Sequence, residues 1–309
     1  MKKIWYAPYK FESYGKEEIK AVEDSLKSGW LGGQGPRSVK FEKEIAKKFG
    51  KKYGVFVNSG SSACLLAIAA LDLPKGCKII TPACTFATTL APIIQLGYVP
   101  VFVDVDLTSY CATVDDIMKV VDKEVKAIML PNLIGNKPDW DALKSALLSM
   151  DRFNHIVDGI PYDHKFLYGV LGYHMKACEM NAAFGLVQLK RFKKFSIRRR
   201  LVFERYLENL QGVGDLILPD DSLKPNWLAI PFQTNKRFEL LTFLENNNIQ
   251  TRVTFAGNVT RHPIYRNYLQ EFKNADTIMK NGFLLGAHHG MTVDDVDYVC
   301  DKIKEFFES

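Results

Sequence analysis

A segment in which a strand, a sharp turn and a helix follow one another, residues 53–71, constrains the fold of this chain most. Residues 53–57 are β-branched and aromatic, which predicts a buried strand, and residues 63–71 are rich in Ala and Leu, which predicts a buried helix. The turn between them leaves the first N–H groups of the helix without partners, at the positive end of its dipole. Such a turn suits a phosphate, although a simple helix cap by Ser59 or Ser61 explains it equally well.

Downstream of this turn, strands and helices alternate. The pattern predicts strands at residues 78–81, 99–103, 125–130 and 155–157, with helices between them. Repeated βαβ units imply a mainly parallel, doubly wound sheet, in which ligands bind at the carboxyl ends of the strands. At that edge the rule places residues 59–61, residues 85–86, Asn132 and Asp158.

The chain divides into four predicted parts. Residues 1–30 form an N-terminal helical segment, which leads into a glycine-dense loop at residues 29–36, and residues 31–178 form a large α/β domain. A long helix at residues 179–211 then links this domain to a smaller α+β domain at residues 212–309. In that last part we expect a strand at 228–232, a helix at 236–246, irregular chain at 251–258, a strand at 283–285 and a helix at 293–307.

The basic charge of the chain is concentrated in the linking helix. The formal net charge is +6, and seven Lys and Arg side chains fall between residues 190 and 200. Nucleic-acid binding is one interpretation, but no nucleic-acid motif accompanies the cluster. A solvated helix face, or one edge of a cleft for an anionic ligand, is the better interpretation.

Composition limits the other classes of function. No apolar run reaches the length of a membrane span, and the basic first residues lack an apolar signal core, so we expect a cytoplasmic protein. The six cysteines are scattered without metal-ligand spacing and are expected to be reduced and mostly buried, with no metal site.

Short motifs that occur in a fixed order along nearly the whole chain carry a family resemblance. The chain closely resembles the DegT-type sugar aminotransferases, fold-type-I enzymes that use pyridoxal phosphate (PLP). Within that family it is most similar to the nucleotide-linked 4-keto-6-deoxyhexose 3-dehydratases. The matching motifs lie at residues 30–36, 57–63, 81–89, 100–106, 135–136, 162–165, 172–173, 251–252, 255–258 and 262–263.

The resemblance implies a PLP site on a PLP-transferase fold. Gly60 and Ser61 would hold the cofactor phosphate, and Phe86 would stack on the pyridine ring, although Phe86 could instead be a core aromatic. Asp158 would pair with the protonated ring nitrogen, unless it is an exposed loop carboxylate. His174 stands where relatives have an Asn that reaches the cofactor phosphate of the neighbouring subunit.

The resemblance also implies the substrate and the partner. Arg252, Asn258 and His262 would lie near a nucleotide-sugar, where a cation can pair with the diphosphate, although all three could equally be surface residues. The family implies a homodimer with shared sites and a role in surface-polysaccharide or deoxysugar biosynthesis.

One departure from the family outweighs these matches. In relatives, a long block with two more sheet strands and the catalytic Lys, or the His that replaces it, follows the Asp158 position. Here Asp158 runs almost directly into residues 162–165, so the catalytic residue is unknown, and Lys165 matches a different family position. Loss of strands from a parallel sheet costs buried area and leaves backbone groups unpaired.

Two functions therefore stay open from the sequence. The first is PLP-dependent dehydration or transamination of a nucleotide-linked keto-sugar, impaired in this chain because the general base is missing. The second is a non-catalytic homologue that binds PLP, a nucleotide-sugar or an intact partner subunit.

Overall fold

The computed structural model describes residues 3–8, 13–32, 35–147, 156–157, 160–161 and 177–309. Two amphipathic helices open the chain, as their apolar spacing predicts. Helix α1 is Lys16–Lys27 and α2 is Pro36–Lys48, and both pack against the long helix α7, Glu179–Leu210.

A three-stranded parallel sheet forms the centre of the first part of the structure. Its strands are β1 (Lys78–Pro82), β2 (Val99–Val103) and β3 (Val125–Ile128), in the order β2-β1-β3. Helices α3 (Gly60–Ala69), α4 (Ala87–Gln95), α5 (Val114–Met118) and α6 (Trp140–Leu147) alternate with them. Ile79 and Ile80 of β1 are fully buried and face opposite sides of the sheet, because successive side chains of a strand alternate.

The prediction of a buried strand at residues 53–57 is wrong. These residues do not form one of the described strands, and the side chains of Tyr53 and Val55 are 74% and 79% exposed. A strand is stable only when neighbouring strands accept and donate its backbone hydrogen bonds. In this segment only Val57 forms a β-bridge, and none of the described strands pairs with it. Helix α3 forms as predicted, but only Ile68 near its C-terminal end is buried.

The prediction of residues 155–157 as a strand of the parallel sheet is also wrong in its pairing. A two-residue strand β4, Ile156–Val157, is present. It pairs antiparallel with β5, Ile160–Pro161, and within the described residues it belongs to a separate two-stranded sheet.

The C-terminal part has its own core. Strands β6 (Ala229–Gln233), β7 (Thr251–Val253) and β8 (Gly282–Gly286) form an antiparallel sheet in the order β6-β8-β7. Helix α8, Arg237–Asn246, and helix α10, Val293–Glu308, pack against each other, and α10 also packs on α7. Helix α9, Lys273–Asn281, immediately precedes β8. The core between these elements includes Tyr206, Phe232, Leu285 and Val299, all with no exposed surface.

The sequence predicted most of this second part correctly. The helices expected at 236–246 and 293–307 are α8 and α10, and the strands expected at 228–232 and 283–285 are β6 and β8. The exception is residues 251–258, predicted to be irregular, of which the first three form β7. Their pairing with β8 is a long-range contact that the local sequence does not show.

Candidate functional site

The N-terminus of α3 keeps two backbone donors open. The Ser59 hydroxyl caps the helix by accepting a hydrogen bond from the N–H of Ser62 at 3.1 Å, and the two hydroxyls lie 3.0 Å apart. No described residue accepts a hydrogen bond from the N–H of Gly60 or Ser61. The cap and the anion site that the sequence left as alternatives are therefore compatible, because the cap uses only one donor of the first turn.

Phe86 lies at the edge of the parallel sheet, where β1 leads into α4. It is the N-cap residue of α4, its side chain is 53% exposed, and it is not a core aromatic. Its ring meets that of Phe255 edge-on, with 6.2 Å between the centroids. An exposed aromatic face at the carboxyl end of a parallel strand is available to stack on a flat ligand.

The segment after β7 is fixed onto this rim by backbone hydrogen bonds. The N–H of Val259 donates to the carbonyl of Ala83 at 2.9 Å, and Cys84 and Asn258 form an isolated antiparallel bridge. The hydroxyl of Tyr265 donates to the carbonyl of Ala87 at 3.3 Å. The C-terminal part thus supplies one wall of the site at the strand ends.

His262 belongs to this wall and has one defined ring proton. Its Nε2 lies 2.8 Å from the carbonyl oxygen of Ala256. Because a carbonyl only accepts, Nε2 carries the proton, and in the neutral ring Nδ1 is then an acceptor. The half-buried ring can therefore accept a hydrogen bond from a ligand hydroxyl.

Asn258 is fully buried, and its side chain is saturated within the chain. Its amide donates to the carbonyl of Gln270 and to Oδ1 of Asp276, both at 2.9 Å. Its oxygen accepts from the N–H and the hydroxyl of Thr260. The hydrogen bond from Arg261 contributes most to holding the pKa of Asp276 below its usual range despite burial. The hydrogen bonds from Asn258 and from the Phe272 N–H lower this pKa further. This network ties the loop after β7 to α9, and a contact of Asn258 with substrate stays a prediction.

Arg252 lies on β7 with its side chain exposed. One nitrogen donates to the carbonyl of Thr251 at 2.8 Å, and the guanidinium lies over the ring of Tyr6, 5.5 Å from its centroid. Tyr6 was not singled out from the sequence as a site residue, and neither was Phe255 beyond its place in a motif. The local sequence does not identify either residue, because Tyr6 contacts Arg252 and Phe255 contacts Phe86, and in both pairs the partners are distant in sequence.

Three residues named from the sequence lie outside the described residues: Asp158, His174 and Lys165. Cys84, which occupies the rim turn, is fully buried, and burial raises the pKa of its thiol to about 12. A thiol in that state is not a nucleophile near neutral pH. Among the residues with described positions there is no cluster of His, Cys, Asp and Glu that could hold a metal ion.

Comparison with known proteins decides the family. The profile of the DegT/DnrJ/EryC1/StrS aminotransferase family matches residues 12–148 and 149–304. This chain belongs to that family. It is 30% identical to the lipopolysaccharide biosynthesis protein RfbH of Salmonella typhimurium, with 95% of this chain and 90% of RfbH covered. It is also 30% identical to the dTDP-4-dehydro-2,6-dideoxy-D-glucose 3-dehydratase of Saccharopolyspora spinosa, with 94% of this chain and 84% of that protein covered.

The fold is that of the PLP-dependent aminotransferases. The structure superposes on E. coli GDP-4-keto-6-deoxy-D-mannose-3-dehydratase with bound hydrated PLP at a TM-score of 0.86, with 24% identity, 98% of this chain and 100% of that chain covered. The described ranges contain no helix with the length and apolar character needed to cross a bilayer.

The comparisons also bear on the block that the sequence motifs indicate to be missing. The alignment with RfbH extends over 393 positions, whereas this chain has 309 residues, so at least 84 positions of the alignment carry no residue of this chain. The two segments matched by the family profile meet between residues 148 and 149. That junction lies before Asp158, so Asp158 belongs to the second matched segment. The motifs, in contrast, place the missing block after Asp158. The pairing of Asp158 with the pyridine nitrogen stays a prediction.

Proposed function

We propose that this chain is a PLP-binding protein of nucleotide-sugar metabolism. It keeps much of the surface that binds the cofactor and the substrate but has lost the catalytic base. The reaction type of its lineage is dehydration at C3, or transamination, of a nucleotide-linked keto-sugar. The role of its relatives in lipopolysaccharide and deoxysugar synthesis, as their names state it, supports this substrate class.

The observation that carries the proposal is the exposed Phe86 ring at the edge where the parallel strands end, held against Phe255. A flat phosphorylated cofactor needs an aromatic surface and unpartnered N–H donors at a helix N-terminus. Phe86 supplies the first, and Gly60 and Ser61 supply the second within the described structure. The donor set therefore fits PLP, which supplies an electron sink for breaking bonds at a substrate carbon when it is bound.

The residues of this chain have separable tasks in that site. The N–H groups of Gly60 and Ser61 would bind the phosphate, and Phe86 would orient the ring. His262, protonated at Nε2, would accept a hydrogen bond from a sugar hydroxyl at Nδ1. Asp158 and His174 are proposed to contact the ring nitrogen and a partner's phosphate, respectively.

The missing step is the movement of a proton at the substrate carbon. In the family this step belongs to a Lys or His within the block that this chain lacks, and a general base contributes about 10²–10⁴-fold to rate. We therefore propose that this chain binds ligands of its family but does not turn them over. Assembly as a homodimer, or with an intact relative, would be consistent with the exposed apolar side chains at Tyr53 and Val55.

Turnover tests this proposal. The purified chain with PLP and an amino donor is incubated with dTDP-4-dehydro-2,6-dideoxy-D-glucose, and the named 3-dehydratase of Saccharopolyspora spinosa serves as the positive control. We expect no loss of the C3 hydroxyl and no amino-sugar product above the protein-free reaction. Product formed by this chain in proportion to its concentration would show that it is an active enzyme.

A further inference from the structure

Helix α9 begins beside the end of β2, and a side chain from that end caps it. Phe272, the N-cap residue of α9, makes no side-chain hydrogen bond to the helix. The carboxylate of Asp104, which follows β2, accepts hydrogen bonds from the N–H groups of Asn274 and Ala275, both at 2.9 Å. The side chain of Asn274 donates in return to the carbonyl of Val105 at 2.7 Å. Asp104 therefore attaches the first turn of a C-terminal helix to the carboxyl end of a parallel strand.

The same helix holds the loop that follows β7. Asp276, in the first turn of α9, accepts hydrogen bonds at 2.9 Å from the side chains of Asn258 and Arg261. Gly257 of this loop lies so close to α9 that a Cβ atom on it would collide with the side chain of Met279. The position of α9 therefore determines the position of the loop.

The loop contains a backbone conformation that needs support from its surroundings. Phe255 has a φ of 47°, in the left-handed region, where the Cβ atom of a bulky residue is crowded by its own backbone. A strained residue of this kind persists only when the neighbouring structure fixes it. The ring of Phe255 is the one that meets Phe86 edge-on. The strain therefore lies at the contact on which the geometry of the candidate site depends.

The loop is attached to the parallel sheet in two places. The direct attachment is at residues 258–259, where the N–H of Val259 donates to the carbonyl of Ala83 and Asn258 bridges to Cys84. The indirect attachment runs through α9 to Asp104. The first begins three residues beyond Phe255, whereas α9 packs on the loop at Gly257 and holds it through Asp276.

We propose that Asp104 is a positioning residue, which acts through α9 to hold Phe255 in its left-handed conformation against Phe86. A carboxylate suits this task because it accepts from two N–H groups at once, and its charge is favourable at the positive end of the helix dipole. Loss of this carboxylate frees the first turn of α9, and the loop then relaxes away from Phe86. That the contact of the two rings serves PLP rests on the proposed function, whereas the attachment of the loop by Asp104 does not.

Hydrogen exchange of the full chain without PLP, followed by mass spectrometry of peptides that cover residues 254–262, tests the attachment. We expect the N–H of Val259 to exchange about tenfold or more faster in Asp104→Ala, because two charge-assisted hydrogen bonds that oppose local opening are lost. Asp104→Asn keeps one acceptor oxygen, so its increase should be smaller. The asparagine variant carries the test if the alanine variant does not fold.

Asp106→Ala is the matched control, two positions along the chain. Among the described residues, the carboxylate of Asp106 accepts hydrogen bonds from Thr108 and Ser109 of its own turn. Its loss lowers the global stability but leaves α9 attached, so exchange at Val259 should stay at the parent rate. A merely structural role of Asp104 would instead give the two variants the same effect.

The affinity for PLP, measured by absorbance titration, shows whether Asp104 acts through Phe255. We expect Asp104→Ala to weaken PLP binding a few-fold in the parent chain and to have no further effect in the Phe255→Leu variant.

Three results would overturn the assignment. They are parent-like exchange at Val259 in a folded Asp104→Ala chain, equal acceleration by Asp106→Ala, and an equal loss of PLP affinity with and without the Phe255 ring. A parent chain that does not bind PLP contradicts the proposed function, and the exchange rates then still decide the role of Asp104.

Discussion

The rings of Phe86 and Phe255 meet edge-on, 6.2 Å apart, although the two residues belong to different parts of the chain. Phe86 begins α4 beside the parallel sheet, and Phe255 follows β7 of the antiparallel sheet. The contact places the C-terminal wall of the site over the carboxyl ends of the parallel strands. The geometry of the site therefore depends on the packing of the two parts as well as on either sheet alone.

Replacing Phe86 by Leu should weaken PLP binding and leave the fold intact. Stacking contributes about 0.5–1.5 kcal/mol, so we expect a loss of affinity of a few-fold to about tenfold. Because the ring is 53% exposed, the free energy of unfolding should fall by less than about 1 kcal/mol. Absorbance titration measures the affinity, and urea unfolding measures the stability. Phe238→Leu on α8, 79% exposed, is the control, and an equal loss of affinity in it would contradict a specific role of Phe86.

The exposed segment at residues 53–57 should contribute little to stability. We expect Val55→Ala to change the free energy of unfolding by less than about 0.5 kcal/mol, because Val55 is 79% exposed. The same substitution at Val103 in β2, 3% exposed, should cost about 1–3 kcal/mol. Urea unfolding of both variants measures the two changes in the free energy of unfolding. Equal costs would mean that residues 53–57 are buried in solution, by a partner or by chain that covers them.

Glu179 should make stability depend on pH in a defined direction. Its buried carboxylate accepts hydrogen bonds at 2.8 Å from the N–H groups of Arg37 and Ser38, and so caps α2, whose N-cap residue Gly35 has no side chain to do this. Burial alone would raise the pKa of Glu179, but these hydrogen bonds hold it below its ordinary value of 4.5. The stabilisation is therefore present above that value and is lost as the pH falls through the lower pKa of the folded state.

The Glu179→Gln variant isolates this contribution. At pH 7 we expect it to be less stable than the parent by about 1–3 kcal/mol, the cost of weakened hydrogen bonds to a buried charged group. The difference should shrink below pH 4.5, where the parent also loses the charge. Urea unfolding at a series of pH values measures it. The exposed Glu44→Gln on α2 serves as the control, and a difference for Glu179→Gln that grows on acidification would be evidence against the cap.

The sequence predicted the helices better than the sheet, and the reason is physical. The apolar spacing of α1, α2, α8 and α10 is a local property of each helix, so the sequence alone identifies them. Residues 53–57 have the composition of a strand, yet a strand depends on neighbours that the local sequence does not contain. The same dependence explains why β7 was read as irregular chain.

The candidate site was predictable only where a residue ends a strand or begins a helix. Ser59, Gly60, Ser61 and Phe86 satisfy that rule, and the structure places all four at helix N-termini. Phe255 does not satisfy it, since it follows β7 and meets the edge of the parallel sheet only through its contact with Phe86. Asn258 was predicted as a ligand contact from a motif, and its buried hydrogen bonds to Thr260 and Asp276 are visible only in three dimensions.

The most direct test of the account is titration of the purified chain with PLP, followed by absorbance, with and without borohydride reduction and measurement of the intact mass. The account predicts saturable, reversible binding and no gain in mass after reduction, because we propose that this chain keeps the binding surface and has lost the lysine that forms the covalent bond to PLP in the family. A covalent adduct on a lysine, with Lys165 the first to examine by peptide mapping, would contradict the loss of the catalytic residue. No binding at all would contradict the cofactor site at Gly60, Ser61 and Phe86.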